Sequence, residues 1–190
     1  AAGDYRALLA LGAVLFDRAD FKAVAGPAPE ELLWLFGRDG VRRYEALAAQ
    51  LPQQTSVGFS DAGYYVLREG WGAEDAMLVF DCGPLGFGPA AHGHADALSV
   101  QLCVAGYPYF VDAGTFSYNL DPSWRDAFRG TRAHNTVVVD GLDQSTPGGR
   151  MAWRSTAKAN LRQRFSSSRL DLVEGEHDGY LRLTQPVGHR

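Results

Sequence analysis

A mainly antiparallel β protein with a helical N-terminal part is the fold class this sequence predicts, and three observations predict it. Up to residue 54 the chain is rich in Ala and Leu and carries helix start and stop signals. From Thr55 onward its apolar residues fall into short alternating runs of strand character. Those runs are joined by glycine-rich connections, as in an antiparallel sandwich, and not by the crossover helices of a parallel sheet. The expected division is therefore 1–54, helical, and 55–190, a β-sandwich.

Taken in order, Tyr5 to Phe16 reads as a helix by its Ala and Leu content. Pro27-Ala28-Pro29 followed by Glu30 and Glu31 places proline near a first turn with acidic residues behind it, so a helix is expected from Glu30 to Phe36. Gly37 and Gly40 interrupt it, and Val41 to Leu51 forms another helical run closed by Pro52. Ser56 to Phe59, Gly63 to Arg68 and Ala76 to Asp81 are branched or aromatic strand runs separated by Asp-Ala-Gly and Gly-Trp-Gly turns. Leu98, Val100, Leu102 and Val104 alternate with smaller or polar residues; Ala105-Gly106 supplies a turn, and Tyr107 to Val111 returns as a hairpin ended by Asp112-Ala113-Gly114. Val137 to Val139 reads as a buried strand, and Met151 to Ser155, Ala157 to Phe165, Leu170 to Glu174 and Tyr180 to Leu183 continue the theme. One helix is expected inside the β region, with Asp121 as N-cap and Pro122 at the first position. Arg125, Arg129 and Arg132 recur on one of its faces, which either clamps carboxylates and sulfates through planar guanidinium groups or is a solvated face balanced by Asp121 and Asp126. Neither an internal repeat nor a low-complexity segment is present.

The composition bounds the function. A 46% hydrophobic, 12% aromatic chain of 190 residues can bury a core and is that of an ordinary globular protein. A net charge of -4 without a basic stripe argues against a nucleic-acid binder, whereas an anionic polysaccharide needs only a local basic patch. No apolar run is long enough to span a bilayer, and the Ala-rich start is broken by Asp4 and Arg6. Cys82 and Cys103 permit one bridge or none, two buried thiols being the plainer reading.

Chemistry is expected between His92 and Asn135, which holds three of the five histidines. In an extended segment His92 and His94 project to one side. His134 stands just before Val137-Val138-Val139. A His, His, Asp set suits zinc, since imidazole nitrogen and carboxylate oxygen both bind it at about 2.0 to 2.2 Å and three protein ligands leave a position for water or substrate. If Val104 pairs with Tyr107, regular pairing leaves Asp112 roughly 16 Å from His94. The segment from His92 to Asp96 must then curl back over the sheet as a loop, which Gly86, Gly88, Gly93 and Pro89 permit. On residue chemistry alone, metal ligands and hydrogen-bonded structural histidines remain even alternatives.

Three blocks carry a resemblance: His92-Gly93-His94-Ala95-Asp96-Ala97-Leu98-Ser99; Phe110-Val111-Asp112-Ala113-Gly114-Thr115-Phe116-Ser117-Tyr118-Asn119; and Phe128-Arg129-Gly130-Thr131-Arg132-Ala133-His134-Asn135-Thr136-Val137. In order and spacing they resemble the heparinase II/III-like polysaccharide lyases, as does the later run Glu176-His177-Asp178-Gly179-Tyr180, and the resemblance covers the chain from about Leu51 onward. It implies the last helices of an α/α toroid over 1–54, then an antiparallel β-sandwich that continues past Arg190, with the active site between the two. It further implies β-elimination on a uronic-acid-containing polysaccharide such as heparin, heparan sulfate or alginate, in a periplasmic or secreted enzyme. His94, Asp112 and His134 match the family's metal ligands, and the zinc ion is expected to be mainly structural. His92 matches the histidine that faces substrate, and Tyr118, Arg125 and Arg129 are the candidate substrate-binding residues. The principal catalytic tyrosine is expected in the toroid, upstream, so this piece alone is expected to be inactive.

Two rivals belong to other classes. One is a non-catalytic carbohydrate-binding or structural sandwich whose zinc ties loops together. The other is a cupin, whose His-x-His is followed three or four residues later by glutamate; Leu98 and Ser99 stand there, and the match fails.

Overall fold

The computed structural model describes residues 4–190, and the chain divides into two units, Ala1–Gln54 and Thr55–Arg190. The first contains α1 (Arg6–Phe16), α2 (Ala19–Ala25) and α3 (Glu30–Ala46). Ala10, Ala13 and Val14, spaced to share one face of α1, are buried with Ala25, Leu32 and Tyr44. Tyr44 adds a hydrogen bond from its hydroxyl to the Gly26 carbonyl at 2.7 Å.

Helix α2, not expected from the sequence, follows a left-handed turn at Asp17 (φ 54°), whose amide bonds the Ala13 carbonyl. The break expected at Gly37 is real, since its φ of 64° and ψ of -166° are non-helical, yet the two expected helices are halves of one kinked element. That element stops at Ala46, short of the expected Leu51: Leu47 is extended, and the Lys22 ammonium draws the Glu45 carbonyl to 2.9 Å.

The second unit is built on a five-stranded antiparallel sheet in sequential order, β1 (Val57–Phe59), β2 (Tyr64–Arg68), β3 (Met77–Asp81), β4 (Val100–Val104) and β5 (Tyr107–Phe110). Two hairpins follow, β6 (Thr146–Gly149) with β7 (Ala152–Ser155), and β8 (Ala159–Ser166) with β9 (Asp171–His177). The mainly β class with a helical N-terminal part is thus the observed one. Tyr65, Cys82 and Leu98 form a core packed by Leu67 and Phe80 from the sheet and by Ala159 and Val173 from β8 and β9, so this hairpin covers one face of the sheet. Gly175 permits the approach: a Cβ there would lie 2.6 Å from the Cys82 sulfur. Both cysteines are free.

The expected Val104 to Tyr107 pairing is present, but a bulge between Leu102 and Cys103 shifts the register so that Leu102 faces Phe110. Two expected strands are corrected. Val137 to Val139 makes only the isolated bridge of Val139 to Leu142, because Asp140 (φ 51°) and Gly141 (φ 71°) turn the chain back at once. The Tyr180 hydroxyl lies 3.1 Å from both the Val137 and the Leu142 carbonyls, satisfying backbone that a sheet would otherwise have to pair. Tyr180 itself lies in a 3-10 turn over Gly179–Arg182, not in a strand, and is fully buried. Helix α4 (Pro122–Arg129) starts as its sequence predicts, the Asp121 carboxylate accepting the Ser123 amide at 2.8 Å.

Candidate active site around His92, His94 and His134

The site lies within the second unit, where the chain between β3 and β4, the segment after β5 and the turn after α4 meet. Backbone bonds fix the first of these as a loop curled over the sheet end: the Leu98 amide bonds the Asp81 carbonyl at 2.7 Å and the Ala95 amide bonds the Arg129 carbonyl at 2.8 Å. The loop passes so close to Leu85 that a Cβ on Gly93 would stand 1.9 Å from the Leu85 carbonyl oxygen, so only glycine fits. This curl removes the separation that regular pairing would impose, and the His94 and His134 rings lie 5.1 Å apart.

His134 is buried, with Nδ1 2.6 Å from the Asp112 carboxylate and Nε2 without any partner. Asp112 thereby holds the tautomer with the proton on Nδ1 and bares the Nε2 lone pair. The His134 hydrogen bond keeps Asp112 below the usual carboxylate range. His94 Nε2 sits between the Thr115 hydroxyl at 3.2 Å and an Arg125 N–H at 3.1 Å. Burial, then the neighbouring His134 and Arg125, push His94 down to about 4, so its imidazole is neutral at pH 7.

Two carboxylates unforeseen in the sequence complete the cluster. Asp96 is pushed up to about 7 by burial and by Asp81, and Asp81 is itself raised, chiefly by burial. Donor atoms of His94, Asp96 and His134 lie within 4.8 Å of one another. A bare buried imidazole nitrogen, a second neutral imidazole and the Asp96 carboxylate are a donor set that a divalent cation fits, and zinc accepts both ligand types. Asp96 stands inside the run that carries the resemblance, but only its burial beside the two histidines marks it out.

His92 is exposed and takes a different neighbour, its ring edge-on to Tyr118 at 5.1 Å and 82°. The arginines are neither a solvated face nor an open clamp, because Arg125 and Arg129 are 1% and 0% exposed. The Arg129 fork is saturated: it bonds Asp126 and the carbonyls of Gly149, Arg150 and Ala152, and it stacks on Trp153 at 4.8 Å. Among the described residues the hydrogen bonds of Arg125 go to His94 and, at 3.3 Å, to the Ala91 carbonyl; its Nε–H has no partner there, and its guanidinium carbon lies 5.1 Å from the Tyr118 ring centroid. Among the described residues no carboxylate hydrogen-bonds Arg125, so its charge beside Tyr118 and His94 is balanced only from a distance, by Asp126. The third arginine of the series, Arg132, is exposed.

Comparison with known proteins matches residues 52–190 to the family model described as heparinase II/III-like, C-terminal. A heparin-sulfate lyase of Pedobacter heparinus is 29% identical over 129 residues, which is 66% of this chain and 18% of that protein. A heparin-sulfate lyase of Bacteroides stercoris is 32% identical over 100 residues, 50% of this chain and 15% of that protein. The chain thus spans less than a fifth of these relatives. Among solved structures, heparan sulfate lyase HepC from Pedobacter heparinus aligns with a TM-score of 0.66 at 24% identity, covering 92% of this chain and 23% of that one. A heparinase III structure aligns with a TM-score of 0.66 at 21% identity, covering 90% and 24%. These two likenesses are of fold.

Proposed function

The chain belongs to the heparinase II/III-like family, and from that premise we propose that it carries the sandwich side of a polysaccharide lyase active site. The observation that supports this most is convergence: blocks far apart in sequence bring His94 against His134, and His92 against Tyr118 with Arg125 beside it. The substrate would be an anionic, uronic-acid-containing polysaccharide, with heparan sulfate first to be tested because the named relatives are heparin-sulfate lyases. The enzyme would work where such a polymer is met, in the periplasm or outside the cell. Among the described residues no helix is long and apolar enough to cross a membrane.

His94 and His134 would hold a zinc ion with the Asp96 carboxylate in reach, while Asp112, expected as the third ligand, would hold His134 from its Nδ1 side, and when bound the ion would supply positive charge that ties the loop of His92 to the turn after α4. The chemistry is β-elimination: the proton at C5 of the uronate leaves, charge develops on the adjacent carboxylate, and the glycosidic oxygen departs from C4 and is protonated. That charge is what a lyase must stabilise. Arg125, buried and unpaired, offers its positive charge from behind Tyr118, where low dielectric strengthens it. The exposed His92 imidazole faces substrate, to exchange a proton or to neutralise the carboxylate, and Tyr118 orients it. Arg129 supports the site by holding α4 to the β6–β7 hairpin. The principal base, which the family resemblance places in the helical toroid, is assigned to no residue of this chain, so the chain alone would bind without turnover.

The test is digestion of heparan sulfate by the intact protein, followed by the ultraviolet absorbance of unsaturated uronate. Absorbance growth supports the lyase. Saccharide binding without any absorbance change across uronic-acid polymers would instead identify a carbohydrate-binding sandwich.

A further inference from the structure

An aromatic platform beside the site is used by none of the roles above. The Phe116 and Phe128 rings stack at 5.3 Å and 17°, and Trp124 leans on both at 5.5 and 6.0 Å. Phe116 is 62% exposed and Trp124 53%, so the cluster shows ring surface to solvent. Phe116 also holds a positive φ of 60°, a backbone conformation that bulky residues rarely adopt and that strains the chain. Exposure and strain at one residue are both unfavourable to folding, and together they point to a binding role.

The platform continues the candidate site. Phe116 follows Thr115, whose hydroxyl is 3.2 Å from His94 Nε2, and Trp124 precedes Arg125, whose unpaired charge lies beside Tyr118. The flat apolar face of a pyranose matches an aromatic face, and the Arg125 charge, without an ion pair among the described residues, favours a sugar bearing an acid group over a neutral one. We propose that Phe116 and Trp124 form a stacking subsite for one pyranose ring of an anionic oligosaccharide, its acid group turned toward the Arg125 side. The assignment rests on the polysaccharide reading above and adds to it the residues that seat a sugar ring.

The experiment titrates the 190-residue chain with a defined heparan sulfate oligosaccharide, following tryptophan fluorescence and, independently, calorimetry. The expected result is saturable binding whose fluorescence change is lost in Trp124→Phe, with affinity about five- to tenfold weaker in Phe116→Ala and Trp124→Ala, the range of an aromatic contact. A neutral oligosaccharide of equal length should bind more weakly. Both positions are exposed, so thermal midpoints should stay near wild type. Unchanged affinity in both alanine variants overturns the subsite while leaving the polysaccharide reading intact. Lost thermal stability with unchanged affinity would mark a packing face and overturns it equally. No binding to the wild-type chain overturns both, and equal binding of the neutral sugar overturns the role given to charge.

Discussion

Replacing Arg129 and Arg125 separately by methionine should give opposite outcomes, although the two stand one helical turn apart on α4. Arg129 places its donors on Asp126 and on three carbonyls at 2.5 to 3.4 Å, and it is 0% exposed. Methionine keeps much of the stem but strands the carbonyls of Gly149, Arg150 and Ala152. Hydrogen bonds to a charged group contribute about 1.5–3 kcal/mol each, not additively, and the half-exposed Asp126 can rehydrate, so about 3–5 kcal/mol is the expected loss. For a unit of this size that is a fall in thermal midpoint of about 10–20 °C. Arg125 is as deeply buried but makes two contacts, one of them long, and no ion pair among the described residues. Removing it also removes a desolvated charge, so Arg125→Met should stay within about 1 kcal/mol of wild type while weakening oligosaccharide binding. Urea unfolding at fixed zinc concentration is the assay. An Arg129→Met variant within about 1 kcal/mol of wild type, or an Arg125→Met variant destabilised by as much as about 3 kcal/mol, would refute the reasoning.

Three further predictions use other parts of the unit. Purified protein should contain close to one equivalent of zinc, and zinc at about a hundredfold over its dissociation constant should stabilise it by about 2.7 kcal/mol; His134→Ala should lose both, and zinc-independent stability in wild type would refute the site. His177 is buried, accepts the Gly179 amide at Nδ1 and meets His189 Nδ1 at 2.7 Å, and burial with that neighbour puts it at about 4. Because the unfolded chain binds this proton near pH 6.5 and the folded chain only near 4, the stability it contributes is complete above 6.5 and declines as pH falls through that window, by about 3 kcal/mol at most. His177→Gln should flatten the slope of unfolding free energy between pH 6.5 and 4, and an unchanged slope would contradict the assignment. Gly93→Ala should lower zinc content and stability together, since its Cβ would meet the Leu85 carbonyl; full zinc content at wild-type stability would count against the close approach.

Much of the fold was legible because β2, β3 and the β4–β5 hairpin are short branched or aromatic runs set between glycine turns. Two errors fell where a side chain took up backbone that a sheet would otherwise pair. Val137 to Val139 has strand composition, yet its Val137 carbonyl accepts from the Tyr180 hydroxyl, and Tyr180 to Leu183 turns because that ring must reach the core. Strand β6 was missed because Thr-Pro-Gly-Gly carries no β-propensity of its own. Within the candidate site, ligand-type residues could be found by chemistry and block resemblance. The way Asp112 addresses His134, the arrival of Asp96 and Asp81, and the burial of Arg125 and Arg129 depend on the loop curl, which no periodicity encodes.

The proposed division of labour between an exposed His92 facing substrate and a half-buried His94 with a buried His134 holding metal is tested most directly by His92→Ala in the intact enzyme, with unsaturated-uronate formation and zinc content measured on the same preparation. Activity should fall by about a hundredfold or more, as for a lost acid-base or charge-stabilising group, with zinc retained. Loss of zinc would make His92 a ligand, and full activity with zinc retained would remove it from the catalytic set.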